Sequence, residues 1–162
     1  MARVFLGLGS NIDAAANLRF GIGELRRRYG DLDLSETYRS AAVGFDGPDF
    51  LNLVVALDSG DSPAGIHEQI EAIHSMVGRV RGEARLSSRP LDIDLLLYDD
   101  VVMEELPLRL PRPDILEYGF VLRPLAELVP DLVHPVSGRT MAEHWRVFDK
   151  ERHPLERISV IW

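Results

Sequence analysis

Apolar and polar positions along this chain change period several times, and each change predicts an element. The run RVFLGLG over 3–9 is apolar and β-rich, which predicts a strand broken by Gly7, Gly9 and Ser10. Asn11 and Asp13 are placed to cap the next element. Over 14–29 the apolar residues Leu18, Ile22 and Leu25 recur at helical spacing, and Gly30-Asp31 ends that helix. Alternation predicts a strand over 32–39. A Gly-Asp-Pro loop comes next over 44–48, then a buried strand over 50–57. Ser62-Pro63 opens a second helix, with proline just inside its start. Ile66, Ile70, Ile73 and Val77 form its apolar face, and Gly78 stops it. After a loop over 82–90, the run 93–98 reads as the most buried strand. Asp99-Asp100 is a turn, with a short hairpin partner over 101–103. Pro107, Pro111 and Pro113 stiffen a loop as far as Glu117. The pattern over 120–128 is helical, although Pro124 predicts only short pieces. A helix over 141–148 and a terminal strand over 158–162 complete the chain.

The order strand, helix, strand, strand, helix, strand is the βαββαβ plan. The expected fold class is α+β, a ferredoxin-like sandwich with helices packed on an antiparallel sheet. At 162 residues, with no repeat, low-complexity segment or linker, the chain suits one domain over 1–162.

Chemistry concentrates in RVRGEARLSSRPLDIDLLLYDD, residues 79–100. Arg79, Arg81, Arg85 and Arg89 precede Asp92 and Asp94 at the mouth of an apolar run. Residues two apart on a strand share a face, so the two carboxylates sit side by side. Adjacent carboxylates repel unless a cation or proton lies between them. Magnesium favours a few carboxylates together with substrate phosphates. The guanidinium fork of arginine matches phosphate oxygens. The segment therefore points to phosphate binding or transfer from a metal-bound nucleotide. The competing reading is a set of ordinary salt bridges between these arginines and carboxylates.

Composition narrows the choice. The net charge is -8, so the arginine cluster is a positive island on an acidic chain. That disfavours general nucleic-acid binding, including an RNA-binding module built on the same sheet plan. With no cysteine, disulfides, thiolate catalysis and zinc–sulfur sites are excluded. No apolar run approaches the roughly 20 residues of a membrane span. The opening MARVFLGLGSN lacks the length and flanks of a signal peptide, so a cytoplasmic protein is expected.

GLGSN is not a G-x-x-x-x-G-K-[ST] phosphate loop, and its glycines read as a tight turn capped by Asn11. Asn52, between Leu51 and Leu53, is either a core amide satisfied by backbone or a group that recognises a heterocycle. His67, His74, His134, His144 and His153 form no H-E-x-x-H pair, and each reads as a surface or capping residue. There is no G-x-S-x-G, against a serine hydrolase. Phe120, Trp145 and Trp162 read as core aromatics.

The blocks GLGSN, PDFLNLVVAL, GRVR, RPLDIDLLLY and GFVLRPLAELVPDLVHP run in this order over nearly the whole length. Together they resemble the 6-hydroxymethyl-7,8-dihydropterin pyrophosphokinase family of folate biosynthesis, whose fold is ferredoxin-like. The resemblance implies transfer of the terminal diphosphate of ATP to the pterin hydroxymethyl group, releasing AMP. It implies that Asp92 and Asp94 bind two magnesium ions bridging the ATP phosphates. Arg79 and Arg89 would steady the phosphate chain. Arg81 and Arg85 would lie on a loop closing over ATP, and Arg112 would meet phosphate. Asn52 would hydrogen-bond the pterin edge, Phe120 would stack on its ring, and Ser40, Val43 and Gly44 would line the pocket. The implied partners are ATP and a small pterin, with no nucleic acid, no membrane, and a monomer. The chain departs from the family pattern at His74 (usually Glu), Leu86 (Trp), Ser88 (Pro) and Pro90 (Thr). It also departs at Arg112 (His) and at Tyr118 (a basic residue). Those departures leave room for a diverged paralogue acting on another pterin, as in a methanopterin-type route. A non-catalytic pterin- or nucleotide-binding protein is the other alternative.

Overall fold

Alternation along one strand organises the molecule. β1 (Ala2–Ser10) sends Ala2, Val4, Leu6 and Leu8 to one face, where they are buried. That face packs on α1 (Ala14–Tyr29), through Leu18, Ile22 and Leu25, and on α2 (Pro63–Met76), through Ile66, Ile70 and Ile73. The remaining elements in chain order are β2 (Asp33–Leu34), β3 (Thr37–Ser40), β4 (Phe50–Ser59), β5 (Asp92–Tyr98), β6 (Met103–Glu105), β7 (Leu108–Leu110), α3 (Asp114–Glu117), α4 (Gly119–Leu128), α5 (Met141–Val147) and β8 (Glu156–Ile158). α2 comes after β4 in the chain. The computed structural model describes residues 1–78 and 88–162. Arg79, Arg81, Arg85 and Leu86 lie outside the described residues.

The main sheet runs β5-β1-β4-β3-β8, with β2 also paired to β4. Its pairings are antiparallel. The βαββαβ core of β1, α1, β3, β4, α2 and β5 is the ferredoxin-like arrangement expected from the pattern. The second face is also covered. Phe5, Val54, Ala56, Leu96 and Leu97 form a separate core with Ile115, Val121, Leu122, Leu125 and Met141 of α3, α4 and α5. No helix among the described residues is long and apolar enough to cross a membrane.

Several expectations are corrected. The glycines do not break β1, because β4 and β5 flank it and pair through Gly7 and Gly9. Asp13 stands at the start of α1 with φ 44 and makes no side-chain cap, and Asn11 is engaged elsewhere. The strand expected over 32–39 is two strands. At the break, Ser35 Oγ accepts from the Val54 N–H, and the Ser35 N–H donates to Val54 O. The partner of 101–103 is not the preceding strand. Asp99, at φ 48, turns the chain away, and β6 pairs with β7. The proline-stiffened loop therefore contains a strand and a short helix. Pro124 sits inside one continuous α4, which burial of Val121, Leu122, Leu125 and Ala126 holds despite the missing N–H. The last strand is Glu156–Ile158, paired with β3, rather than 158–162. His74 and His134 are buried rather than superficial.

Candidate active site

The cleft opens where the second sheet face carries no side chains. Gly7 and Gly9 of β1 point there, and both line it. Gly9 is paired with Asn52 of β4 on one side and with Asp92 of β5 on the other. The row Asn52–Gly9–Asp92 therefore spans two strand spacings, about 10 Å. The next row, Val54–Gly7–Asp94, repeats it. Strand periodicity thus places an amide and a carboxylate pair on opposite sides of a glycine floor.

The floor is tight. A Cβ on Gly9 would stand 2.9 Å from Asn52 Oδ1, and one on Gly7 3.4 Å from Leu96. Asn52 is buried, and its Nδ2 donates to Ser40 Oγ at 2.9 Å. Ser40 and Val43 also line the cleft, as do Ala41 and Phe45. Gly44, at φ 82, lies between lining residues but not on the wall itself. Around this end stand two aromatic pairs. Phe45 and Phe50 meet edge to face with centroids 6.3 Å apart, and Tyr118 stacks on Phe120 at 5.0 Å.

The other end is charged. Asp92 and Asp94 are half-buried on one face, while Ile93 between them is buried on the opposite side. Arg89 Nη1 lies 3.3 Å from Asp92 Oδ1. Arg112 Nη2 lies 3.4 Å from Asp94 Oδ1, and its Nε lies 3.4 Å from Asp114 Oδ1. That Nε is buried and lacks hydrogen-bond geometry to any partner. Burial opposes the charge on Arg112, but Asp94, Asp114 and Asp92 outweigh it and raise its pKa. The ion pairs of the Arg–Asp segment are present among the described residues, and they line the cleft.

Two local devices place the cations. The β1–β5 register shifts between Phe5 and Leu6, so Leu97 faces Phe5 while Leu95 faces Leu6. Leu96 is the extra residue of this bulge, and its carbonyl accepts the Arg112 N–H at 2.9 Å. The Gly9-Ser10-Asn11 stretch holds Arg89. Asn11 Oδ1 accepts from the Arg89 N–H at 2.7 Å, and the Asn11 N–H donates to Arg89 O at 3.1 Å. Asn11 Nδ2 donates to Pro48 O and Ser88 Oγ. The segment read as a capped turn is therefore a clamp on the cleft rim.

The sequence pattern of the 7,8-dihydro-6-hydroxymethylpterin-pyrophosphokinase (HPPK) family matches residues 5–130. The chain belongs to this family. It is 41% identical over 163 residues to the 2-amino-4-hydroxy-6-hydroxymethyldihydropteridine pyrophosphokinase of Methylorubrum extorquens, covering 98% of this chain and 100% of that protein. The like-named protein of Synechocystis sp. is 39% identical over 141 residues, 85% of this chain and 72% of its own. Among solved structures, wild-type HPPK-DHPS of Plasmodium falciparum superimposes with a TM-score of 0.78 at 14% identity. The match covers 99% of this chain, which spans 48% of the Plasmodium one. That likeness concerns the fold, and it agrees with the ferredoxin-like expectation.

Of the expected site residues, Asp92, Asp94, Arg89, Arg112, Ser40, Val43, Asn52 and Phe120 meet in this cleft. Reading the sequence missed Phe50, Phe45, Tyr118 and Asp114. Three of these had a signal. Phe50 stands two residues before Asn52 on the same strand, Tyr118 two before Phe120, and Asp114 two after Arg112.

Proposed function

We propose that Asn52, Ser40 and the aromatic rings hold the pterin, and that Asp92, Asp94, Arg89 and Arg112 hold the ATP phosphates. The activity is the family's: diphosphate passes from ATP to 6-hydroxymethyl-7,8-dihydropterin. The observation that carries the assignment is the glycine-floored cleft, with an amide and aromatic rings at one end and a charged end about two strand spacings away.

In this reading the flat ring lies over Gly7 and Gly9 against aromatic faces, which favour offset stacking. The Asn52 carboxamide offers a donor and an acceptor to the ring edge. The hydroxymethyl oxygen then attacks the β-phosphorus of ATP. The bond from that phosphorus to the α–β bridging oxygen breaks, AMP leaves with that oxygen, and the hydroxyl proton passes to water. Arg89 and Arg112 hold the phosphate oxygens in line and meet the developing charge. Such transfers depend on positioning and charge neutralisation more than on covalent help from protein.

Asp92 and Asp94 fit magnesium, which takes one or two carboxylates plus phosphate oxygens rather than an all-protein cage. Held by Asp92 and Asp94, it would neutralise phosphate charge, and two ions are expected.

The test is AMP release from ATP and magnesium, with and without the hydroxymethyl dihydropterin. Pterin-dependent AMP and a diphosphorylated pterin are expected. Folded protein that binds the pterin but forms no AMP overturns the catalytic assignment. AMP formed only with a different pterin moves the chain to a diverged paralogue.

A further inference from the structure

β5 is the terminal strand of the main sheet, so the N–H groups on its outer edge have no ladder partner among the described residues. One of them lies between the two carboxylates of the cleft. Ile93 is opposite Leu8 in the β1 register, and its N–H turns away from β1. There it donates to His74 Nε2 at 2.9 Å. His74 comes from the last turn of α2 and is 3% exposed. An Nε2 that accepts must carry no proton, so the ring proton of the neutral imidazole sits on Nδ1. Nδ1 lies 3.3 Å from Glu71 Oε1, one helical turn earlier, which favours that tautomer. The neighbouring Ile73 is fully buried in the core, so the end of α2 is a fixed support.

We infer that His74 is a positioning residue for the Asp92–Asp94 pair, acting through the Ile93 backbone. It touches neither substrate nor metal. Its imidazole anchors the outer-edge peptide N–H of Ile93, between two side chains that repel each other and must hold their spacing for a cation. Among the described residues no strand pairs with β5 opposite β1, so the Ile93–His74 hydrogen bond ties this part of the edge to α2. The inference rests on the reading of Asp92 and Asp94 as the metal-holding pair. A ligand-orienting group of this kind typically affects metal affinity by about 10-fold to 100-fold.

The test compares His74→Leu, which removes the acceptor, with His74→Gln, which keeps a carbonyl oxygen on a long side chain. Mn2+ binding is followed by electron paramagnetic resonance in the presence of αβ-methylene ATP, alongside thermal melting and pterin affinity. His74→Leu should weaken Mn2+ binding about 10-fold to 100-fold, and His74→Gln should restore most of it. Pterin affinity should hold in both, since Asn52 lies two strands away. A His74→Leu protein that melts lower but binds Mn2+ like wild type overturns the inference and leaves a purely structural histidine. Equal losses in both variants overturn it too, because the acceptor then does not matter. If His74→Leu fails to fold, Glu71→Leu changes only a partly exposed side chain. It should weaken Mn2+ in the same direction by less, and an unchanged affinity overturns the inference. Failure of the underlying reading looks different: wild type and Asp94→Asn would then bind Mn2+ alike.

Discussion

Gly9→Ala adds a single methyl group at the floor of the cleft, and its consequences can be worked out from the geometry. The new Cβ would stand 2.9 Å from Asn52 Oδ1, whereas ordinary contact begins near 3.4 Å. The oxygen must therefore retreat by about half an ångström. It is the far end of a side chain, so the backbone need not move and the stability cost is small. The amide, however, is pinned by Nδ2 donating to Ser40 Oγ, and retreat turns it away from the cleft. A heterocycle that uses both amide groups loses two hydrogen bonds, each worth about 1 kcal/mol. The sum is about 1–3 kcal/mol, or about 10-fold to 100-fold in the pterin dissociation constant. The assay is pterin binding by calorimetry or ligand fluorescence, with Mn2+ and ATP-analogue binding as the internal control. Loss should be confined to the pterin. Pterin affinity within twofold of wild type would refute the argument that the Asn52 amide, held over a bare glycine, recognises this ligand.

Three further outcomes are expected. Asp94→Asn should lower turnover by about 10²–10³, the size typical of losing one electrostatic contact to a transition state. Its metal-free melting temperature should fall little, because Arg112 keeps its contact with Asp114; a large fall in stability with turnover intact contradicts this. Burial, then the neighbouring His144, depresses the pKa of His134, and burial likewise lowers those of His144 and His153. The unfolded chain thus binds protons more readily, so stability present near pH 7 is lost as pH falls below about 6.5 toward the folded values. His134 Nδ1 accepts from the Val136 and Ser137 N–H groups, and His134→Asn should keep an acceptor there while flattening the acid slope of the melting curve; an unchanged slope counts against it. In α1, Gly23→Ala meets nothing within 4 Å, whereas Gly21→Ala meets Leu91 at 3.0 Å. The first should raise stability by about 0.5–1 kcal/mol and the second lower it by about 1–3 kcal/mol, read by denaturant unfolding, and the opposite order would refute the packing argument.

The local patterns were legible because they report local physics. The α1 boundaries, Ala14–Tyr29, derive from its apolar spacing, and the strand phase of Asp92 and Asp94 from their spacing of two. The order of elements sufficed for the ferredoxin-like plan, and five separated blocks pointed to the family. What failed were features set by partners distant in the chain. Gly7 and Gly9 read as breakers because glycine is a poor strand former. Between β4 and β5 they are ladder residues whose missing side chains make the cleft. Asn11 read as a cap because its type suits one, yet its amide is taken by Arg89 and Pro48. Arg112 is brought to Asp94 by a bulge at Leu96, and no local spacing announces a bulge. His74, 18 residues before Asp92, stood out only as a departure from the family pattern and read as a surface or capping residue, and the docking of α2 against the sheet edge joins it to Ile93. Sequence by itself determined which elements form and which chemistry the chain carries, since period and residue type are local properties. Tertiary structure decided which of those residues meet, since pairing register and helix docking depend on contacts that the chain makes across long separations.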